Sequence, residues 1–164
     1  MSYSDNPRNG AAFQKEVLAW FEKHYRTEFE LEKKIPIGKP AKEHKFDIVN
    51  AELHIAIECK RYTWTETGNV PSAKMGFTNE AAFYLSFLPR EYDKYIVMLR
   101  SFHEKRNESL AEYYFRTNKH LLGTTKVAEY DPGTKEFRIV GANKQEQSYE
   151  TGPLDPANAS VPGG

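Results

Sequence analysis

The chain reads as an α/β domain in which helices flank a mixed β-sheet, in the order helix, strand, strand, strand, helix, strand, with a further helix and hairpin appended. Three observations carry this expectation. Apolar residues recur at spacings of three and four early in the chain; further on they alternate or run continuously in short segments; and turn formers separate those segments. Helical and strand periods interleaved along one chain imply a sheet covered by helices.

Phe13, Val17, Trp20, Phe21 and His24 or Tyr25 mark an amphipathic helix from Gly10 to about Tyr25, with Lys15, Glu22 and Lys23 on its far side. Glu16 lies at the border of the apolar stripe, either solvated or looking toward the sheet edge. Thr27 to Ile35 alternates Phe29, Leu31 and Ile35 with charged residues, a first strand that Pro36 should end. Pro36 to Lys45, with two prolines and Gly38, is expected to be a loop. Its Lys39, Lys42, His44 and Lys45 either hold a phosphate backbone or are simply solvated.

Phe46 to Val49 and Leu53 to Lys60 read as the strands of a hairpin turning at Asn50-Ala51-Glu52. Leu53, Ile55, Ile57 and Cys59 share one face, Cys59 as a small packing residue, and His54, Ala56, Glu58 and Lys60 share the other. Arg61 to Pro71 follows as a loop. There Arg61, Tyr62 and Trp64 combine cation, hydroxyl and stacking surface suited to phosphates or unstacked bases, although an aromatic covering the core edge is the competing reading for Trp64.

Ser72 is the expected N-cap of a mostly buried helix through Phe77, Ala81, Ala82, Phe83, Tyr84, Leu85, Phe87 and Leu88, broken at Pro89. Asp93 to Ser101 holds the apolar run Tyr95 to Leu99, a strand covered on both faces and reached by a right-handed crossover. Asn107 is the expected cap of a helix holding Leu110, Tyr113, Tyr114 and Leu121. Thr124 to Tyr130 and Glu136 to Val140 flank Asp131-Pro132-Gly133-Thr134, where proline presets φ and glycine is expected in the left-handed position. One domain over 1–144 results, with 1–9 as a loose arm and 145–164 as a disordered tail.

Composition bounds the function classes. A chain of 164 residues with 39% hydrophobic and 13% aromatic residues can build one core. Lys plus Arg and Asp plus Glu are 23 each, so nucleic-acid binding would need local patches rather than global charge. Cys59 is the only cysteine, which excludes an intrachain disulfide and multi-cysteine zinc sites and suits a reducing, cytoplasmic setting. No apolar run is long enough for a membrane span and no basic-then-apolar leader opens the chain, so no membrane partner is expected.

The hairpin carries the chemistry. A chain that leaves from Asp47 returns near it by Glu58, so two carboxylates converge at the open end. Such carboxylates repel unless a cation lies between them, and an oxygen-rich site suits Mg²⁺ or Mn²⁺. Lys60, on the face of Glu58, can act on a water or on charge developing at a phosphate, the equipment of metal-assisted phosphodiester hydrolysis. A surface Glu and Lys on an edge strand is the plain alternative.

Phe46-Asp47-Ile48-Val49 followed by Ile57-Glu58-Cys59-Lys60 resembles the PD-(D/E)XK nuclease superfamily, and within it most resembles archaeal Holliday-junction resolvases and small restriction enzymes. Phe46 stands where the name-giving proline would be. The resemblance covers roughly Ala11 to Arg100 in order of elements. It implies a restriction-endonuclease-like fold and a deoxyribonuclease dependent on Mg²⁺ or Mn²⁺, with DNA as partner. It further implies Asp47 and Glu58 as metal ligands, Cys59 lending its carbonyl oxygen, Lys60 acting at the water or scissile phosphate, and Glu16 joining the metal cluster from the first helix. The competing classes are a non-catalytic nucleic-acid-binding subunit of a DNA-processing assembly and a protein-interaction domain, and the latter gives the hairpin charges no task. Because one small chain has one site, cutting both strands predicts a homodimer that meets through the Trp64 loop and the helix of Phe83 and Phe87.

Overall fold

The computed structural model describes residues 7–141. Its elements are α1 (Pro7–Tyr25), β1 (Glu30–Ile37), β2 (Lys42–Asn50), β3 (Ile55–Lys60), α2 (Ser72–Ser86), β4 (Asp93–Leu99), β5 (Phe102–His103), β6 (Glu108–Ser109), α3 (Leu110–Asn118), β7 (Lys126–Asp131) and β8 (Glu136–Ile139). Six strands form one sheet in the order β1-β2-β3-β4-β7-β8, and β5 and β6 pair separately. The β1/β2, β2/β3 and β7/β8 pairs are antiparallel, whereas β3/β4 and β4/β7 are parallel. Parallel neighbours need long crossovers, and α2 and α3 lie in the two crossovers here. The protein is therefore α/β with a mixed sheet, and no helix of the described residues is long and apolar enough to cross a membrane.

Strand alternation divides the core into two layers. Ile55, Ile57, Tyr95, Val97 and Ala128 pack with Phe13, Val17 and Phe21 of α1. Ala56, Ile96, Met98 and Val127 face the other way, against Met75, Ala82 and Leu85 of α2 and Leu110 and Tyr114 of α3. Full burial of such a Val, Ile, Leu or Phe side chain contributes about 1.5–3 kcal/mol, so these two layers supply the main driving force for the fold. Glu58, alternating with Ile57, is carried into the α2 layer.

Several local expectations give way to tertiary context. The basic segment 36–45 is not a loop: β1 continues through Pro36 to Ile37, and β2 begins at Lys42, with Pro36 opposite Glu43. An edge strand tolerates proline because a missing N–H on its outer side costs no ladder bond. Only Gly38 to Ala41 turn, Gly38 at φ 77°. Ile55 rather than Leu53 opens β3, because Asn50 Oδ1 accepts the Leu53 N–H at 2.8 Å and prolongs the turn. Pro71, not Ser72, occupies the N-cap of α2, with no capping side chain. The cap of α3 is Ser109 and not Asn107: Glu112 N–H donates to Ser109 Oγ at 3.1 Å while Ser109 N–H donates to Glu112 Oε2 at 2.7 Å, a reciprocal box that Asn107 is two residues too early to make. Asn107 instead takes φ 52°.

In the β7–β8 turn, Lys135 (φ 59°) holds the left-handed position expected of Gly133, since the Asp131 carbonyl accepts from Lys135 N–H and moves the bend one step later. Leu121 lies in an exposed 3₁₀ turn beyond α3. Nor is α2 mostly buried, for Phe77, Phe83 and Phe87 are 50%, 61% and 45% exposed. Pro7 to Asn9 of the expected arm belong to α1, and the expected tail lies outside the described residues.

A buried charge network locks the β7–β8 end. Glu129 is 2% exposed and accepts from Arg100 at 2.8 Å and from Arg138 at 2.9 and 2.6 Å, while Arg138 also reaches Glu112 at 2.8 Å. A carboxylate this deep is tolerated only when paired, and stripping its partners typically costs about 3–5 kcal/mol; the partly exposed arginine heads put this pair at the lower end. Met98 connects this network to the site, standing between Lys60 on β3 and Glu129 on β7.

Candidate active site

The site begins with a break in strand regularity. Phe46 packs in the α2 layer and Ile48 in the α1 layer, although residues two apart on a regular strand share a face. The alternation therefore slips at Asp47. The β2–β3 ladder stops at Ile48 opposite Ile57, and Asp47 Oδ2 accepts the Cys59 N–H at 2.8 Å. Glu32, opposite Asp47 on β1, is held at φ 52°. The register is the same on both sides of this point, so no residue is inserted; the backbone twists locally, and the Asp47 carboxylate turns toward β3, where it takes the Cys59 N–H. From α1, Gln14 Nε2 donates to the Asp47 carbonyl at 3.1 Å and holds the distorted turn of chain in place.

Asp47 thereby meets Glu58. Glu58 is 6% exposed, and its carboxyl is pushed up to about 9, first by burial, then by the Asp47 charge and a hydrogen bond with the Asp47 side chain, while Lys60 pulls it down. Without a metal, the Glu58 carboxyl therefore favours its protonated form at neutral pH, chiefly because it is buried. Oε1 of Glu58 is buried with no hydrogen-bond partner. A buried acceptor left open costs about 1–3 kcal/mol, so the arrangement is destabilising unless something fills it. The Cys59 thiol is pushed well up by burial and the two carboxyls, which makes it an inert packing group on the α1 side.

Lys60 and a second lysine share one aromatic ring. Lys60 Nζ lies 6.0 Å and Lys74 Nζ 5.4 Å from the centre of Tyr62. Lys74, in the first turn of α2, was not legible as a site residue, because one cation at the start of an apolar helix carries no signal. His44 has also changed role. It sits on β2 with its ring stacked on Tyr84 of α2 at 3.9 Å and edge-on to Phe46 at 4.7 Å, and its Nε2 approaches Glu58 Oε1 to 3.6 Å. Burial lowers the imidazole pKa against the opposing pull of Asp47 and Glu80. With the carboxyl raised and the imidazole lowered, this contact joins two neutral groups at pH 7 and is not an ion pair.

The remaining expected residues are dispersed. Glu16 is not brought to the pair: it accepts from Tyr130 Oη at 3.2 Å and lies 3.5 Å from Lys135 Nζ, at the β7–β8 edge. Its place on α1 is taken by Gln14, half a turn earlier. Trp64 is buried at 6% exposure with the Arg106 guanidinium 4.8 Å from its ring, so it packs the core edge and offers no face to a base. Lys39 and Lys42 are exposed at the tip of the β1–β2 hairpin, and Lys45 pairs loosely with Glu32 at 3.7 Å. Arg61 and Tyr62 are half-buried beside Lys60.

Among the described residues no three His, Cys, Asp or Glu side chains form a ready-made metal cage. Two carboxylates nonetheless fit Mg²⁺, which commonly takes one or two protein carboxylates and completes its shell with water and substrate phosphate. A cation held between the Asp47 and Glu58 carboxylates would displace the proton that their contact and the burial of Glu58 favour, while Oε1 of Glu58 stays open toward His44 Nε2. Comparison with protein-family models, with characterised proteins and with solved structures gives no match for this chain.

Proposed function

We propose that this chain is a metal-dependent DNA endonuclease of restriction-endonuclease-like fold. One observation carries the proposal: Glu58, buried with an oxygen left open, against Asp47 and two residues from Lys60. The three antiparallel strands followed by α2 and a parallel β4 agree with the order of elements that the sequence resemblance calls for.

Asp47 and Glu58 would hold Mg²⁺ or Mn²⁺, and the ion would supply a Lewis acid for a phosphate oxygen and a more acidic water. Lys60, kept near the pair by its strand position, stabilises charge growing on the phosphate or orients the attacking water. Tyr62 keeps the Lys60 and Lys74 ammonium groups on one side of the site, where they attract the backbone. Lys39 and Lys42 extend the hairpin tip as further phosphate contacts.

Purified protein with Mn²⁺ should cut plasmid, branched or single-stranded DNA, lose the activity in EDTA and regain it with excess Mn²⁺. Equal cutting with EDTA present rejects the proposal. Binding of DNA without cleavage or Mn²⁺ uptake would instead identify a non-catalytic subunit of a DNA-processing assembly.

Two sites for two strands call for a second copy. On α2 and its C-cap residue, Phe77, Phe83 and Phe87 are large apolar side chains left exposed, and the last two rings meet edge-on at 5.0 Å. Exposed aromatic side chains grouped in this way suit a contact surface, and a twofold contact would cover them. Trp64, being buried, takes no part. Light scattering should give twice the 18.9 kDa chain mass, and Phe83→Glu should return it to the monomer.

A further inference from the structure

We infer that His44 is a positioning residue for Glu58, the outer partner that fixes the carboxylate's orientation for metal binding, and not a contact to nucleic acid. The inference rests on the proposed nuclease site and extends it to a residue outside the sequence motif. Three features of the structure support it.

His44 Nε2 is the nitrogen that faces Glu58 Oε1, at 3.6 Å, just beyond hydrogen-bond distance, and Oε1 has no hydrogen-bond partner. The imidazole is held on two sides, stacked on Tyr84 at an interplanar angle of 15° and edge-on to Phe46 at 74°. Its side chain is 26% exposed, which leaves little of the ring for a phosphate to reach. A ring locked by two aromatics costs little further entropy when it makes a bond, which is the property needed of an orienting group.

The chemistry follows from the needs of a buried carboxylate. When Glu58 gives a lone pair to a cation, its remaining lone pairs still need donors in a place that water hardly reaches. An imidazole N–H approaching from β2 meets that need by closing a gap of a few tenths of an ångström. Tyr84 then couples the position of α2 to the site, because a shift of the helix moves the ring that holds His44.

Mn²⁺ titration by calorimetry on the full chain tests the inference. Losing an outer-shell partner of this kind typically weakens metal affinity about 10–100-fold, and His44→Leu should fall in that range. His44→Gln, which can present an N–H near the same place, should recover most of the affinity. In cleavage assays His44→Leu should lower kcat while KM for DNA stays unchanged, since the residue does not touch the phosphate. Tyr84→Leu, which leaves Glu58 and His44 in place but frees the ring, should weaken Mn²⁺ several-fold, and it serves as the test if His44→Leu does not fold. Wild-type affinity in His44→Leu, or Gln as poor as Leu, overturns the inference and leaves the nuclease proposal standing. A raised KM with kcat unchanged would return His44 to nucleic-acid contact. Failure of the wild-type chain to take up Mn²⁺ rejects both.

Discussion

Exchanging Glu58 for glutamine should abolish metal-dependent cleavage, with a loss of several orders of magnitude in kcat, while making the metal-free protein more stable at alkaline pH. Rate falls because one of two carboxylates available to the ion is gone, and with it the charge stabilisation that the ion supplies. Stability moves the other way for a reason visible in the fold. The Glu58 carboxyl titrates near 9 in the folded chain, against an ordinary value of 4.5. Between those values the folded state binds more protons than the unfolded state, so stability is highest below the unfolded value and is lost as pH rises toward the folded one. A single group contributes a slope of at most about 1.4 kcal/mol per pH unit in that window.

Urea unfolding of the metal-free wild type at several pH values from about 5 to about 9 should therefore show declining stability, and Glu58→Gln should remove that part of the decline. Added Mn²⁺ should restore wild-type stability most strongly at the alkaline end, since the ion binds the ionised pair and displaces its proton. Cleavage should climb with pH over the same range. If wild type and variant decline in parallel, Glu58 is not the protonated group that its burial makes it.

Replacing Lys60 by methionine should remove most cleavage yet leave metal binding intact. The ammonium group is positioned to act on the phosphate or the water, and methionine keeps the length of its stem without its charge. Two opposing effects act on metal affinity. Losing a nearby positive charge favours the cation directly. Because Lys60 also pulls the Glu58 carboxyl down, its loss lets the pair hold its proton more firmly. Above the pH at which Glu58 ionises only the first effect remains, so calorimetry there should show binding equal to or tighter than wild type. Metal binding lost together with activity would mean that Lys60 holds the carboxylates in place and has no part in the chemistry.

The period of two from Ile55 to Lys60 and the apolar run of Tyr95 to Leu99 located the central strands, and the three-and-four spacing of Phe13, Val17 and Phe21 located α1. Each of these signals is local, since side-chain direction repeats every two residues on a strand and every 3.6 on a helix. Asp47 and Glu58 were likewise legible as neighbours, because a short hairpin leaves few ways to join the two strands. The β1–β2 hairpin was hidden for the converse reason. Pro36, Gly38 and Pro40 are strong local turn formers, and seven paired positions against the partner strand outweigh them at Pro36, leaving the turn to Gly38 to Ala41.

By itself, then, the sequence determined the interleaved helices and strands, the face shared by Glu58 and Lys60, and the proximity of Asp47. Tertiary structure alone decided the rest of the site: the slip at Asp47, the burial that pushes Glu58 up, the seat of His44 between Phe46 and Tyr84, and the removal of Glu16 to Tyr130 and Lys135. Periodicity fixes which way a side chain points from its own backbone. Its solvation, its charge neighbours and its hydrogen-bond partners come from chain segments far away in sequence, and those are the quantities that set the chemistry of a buried carboxyl.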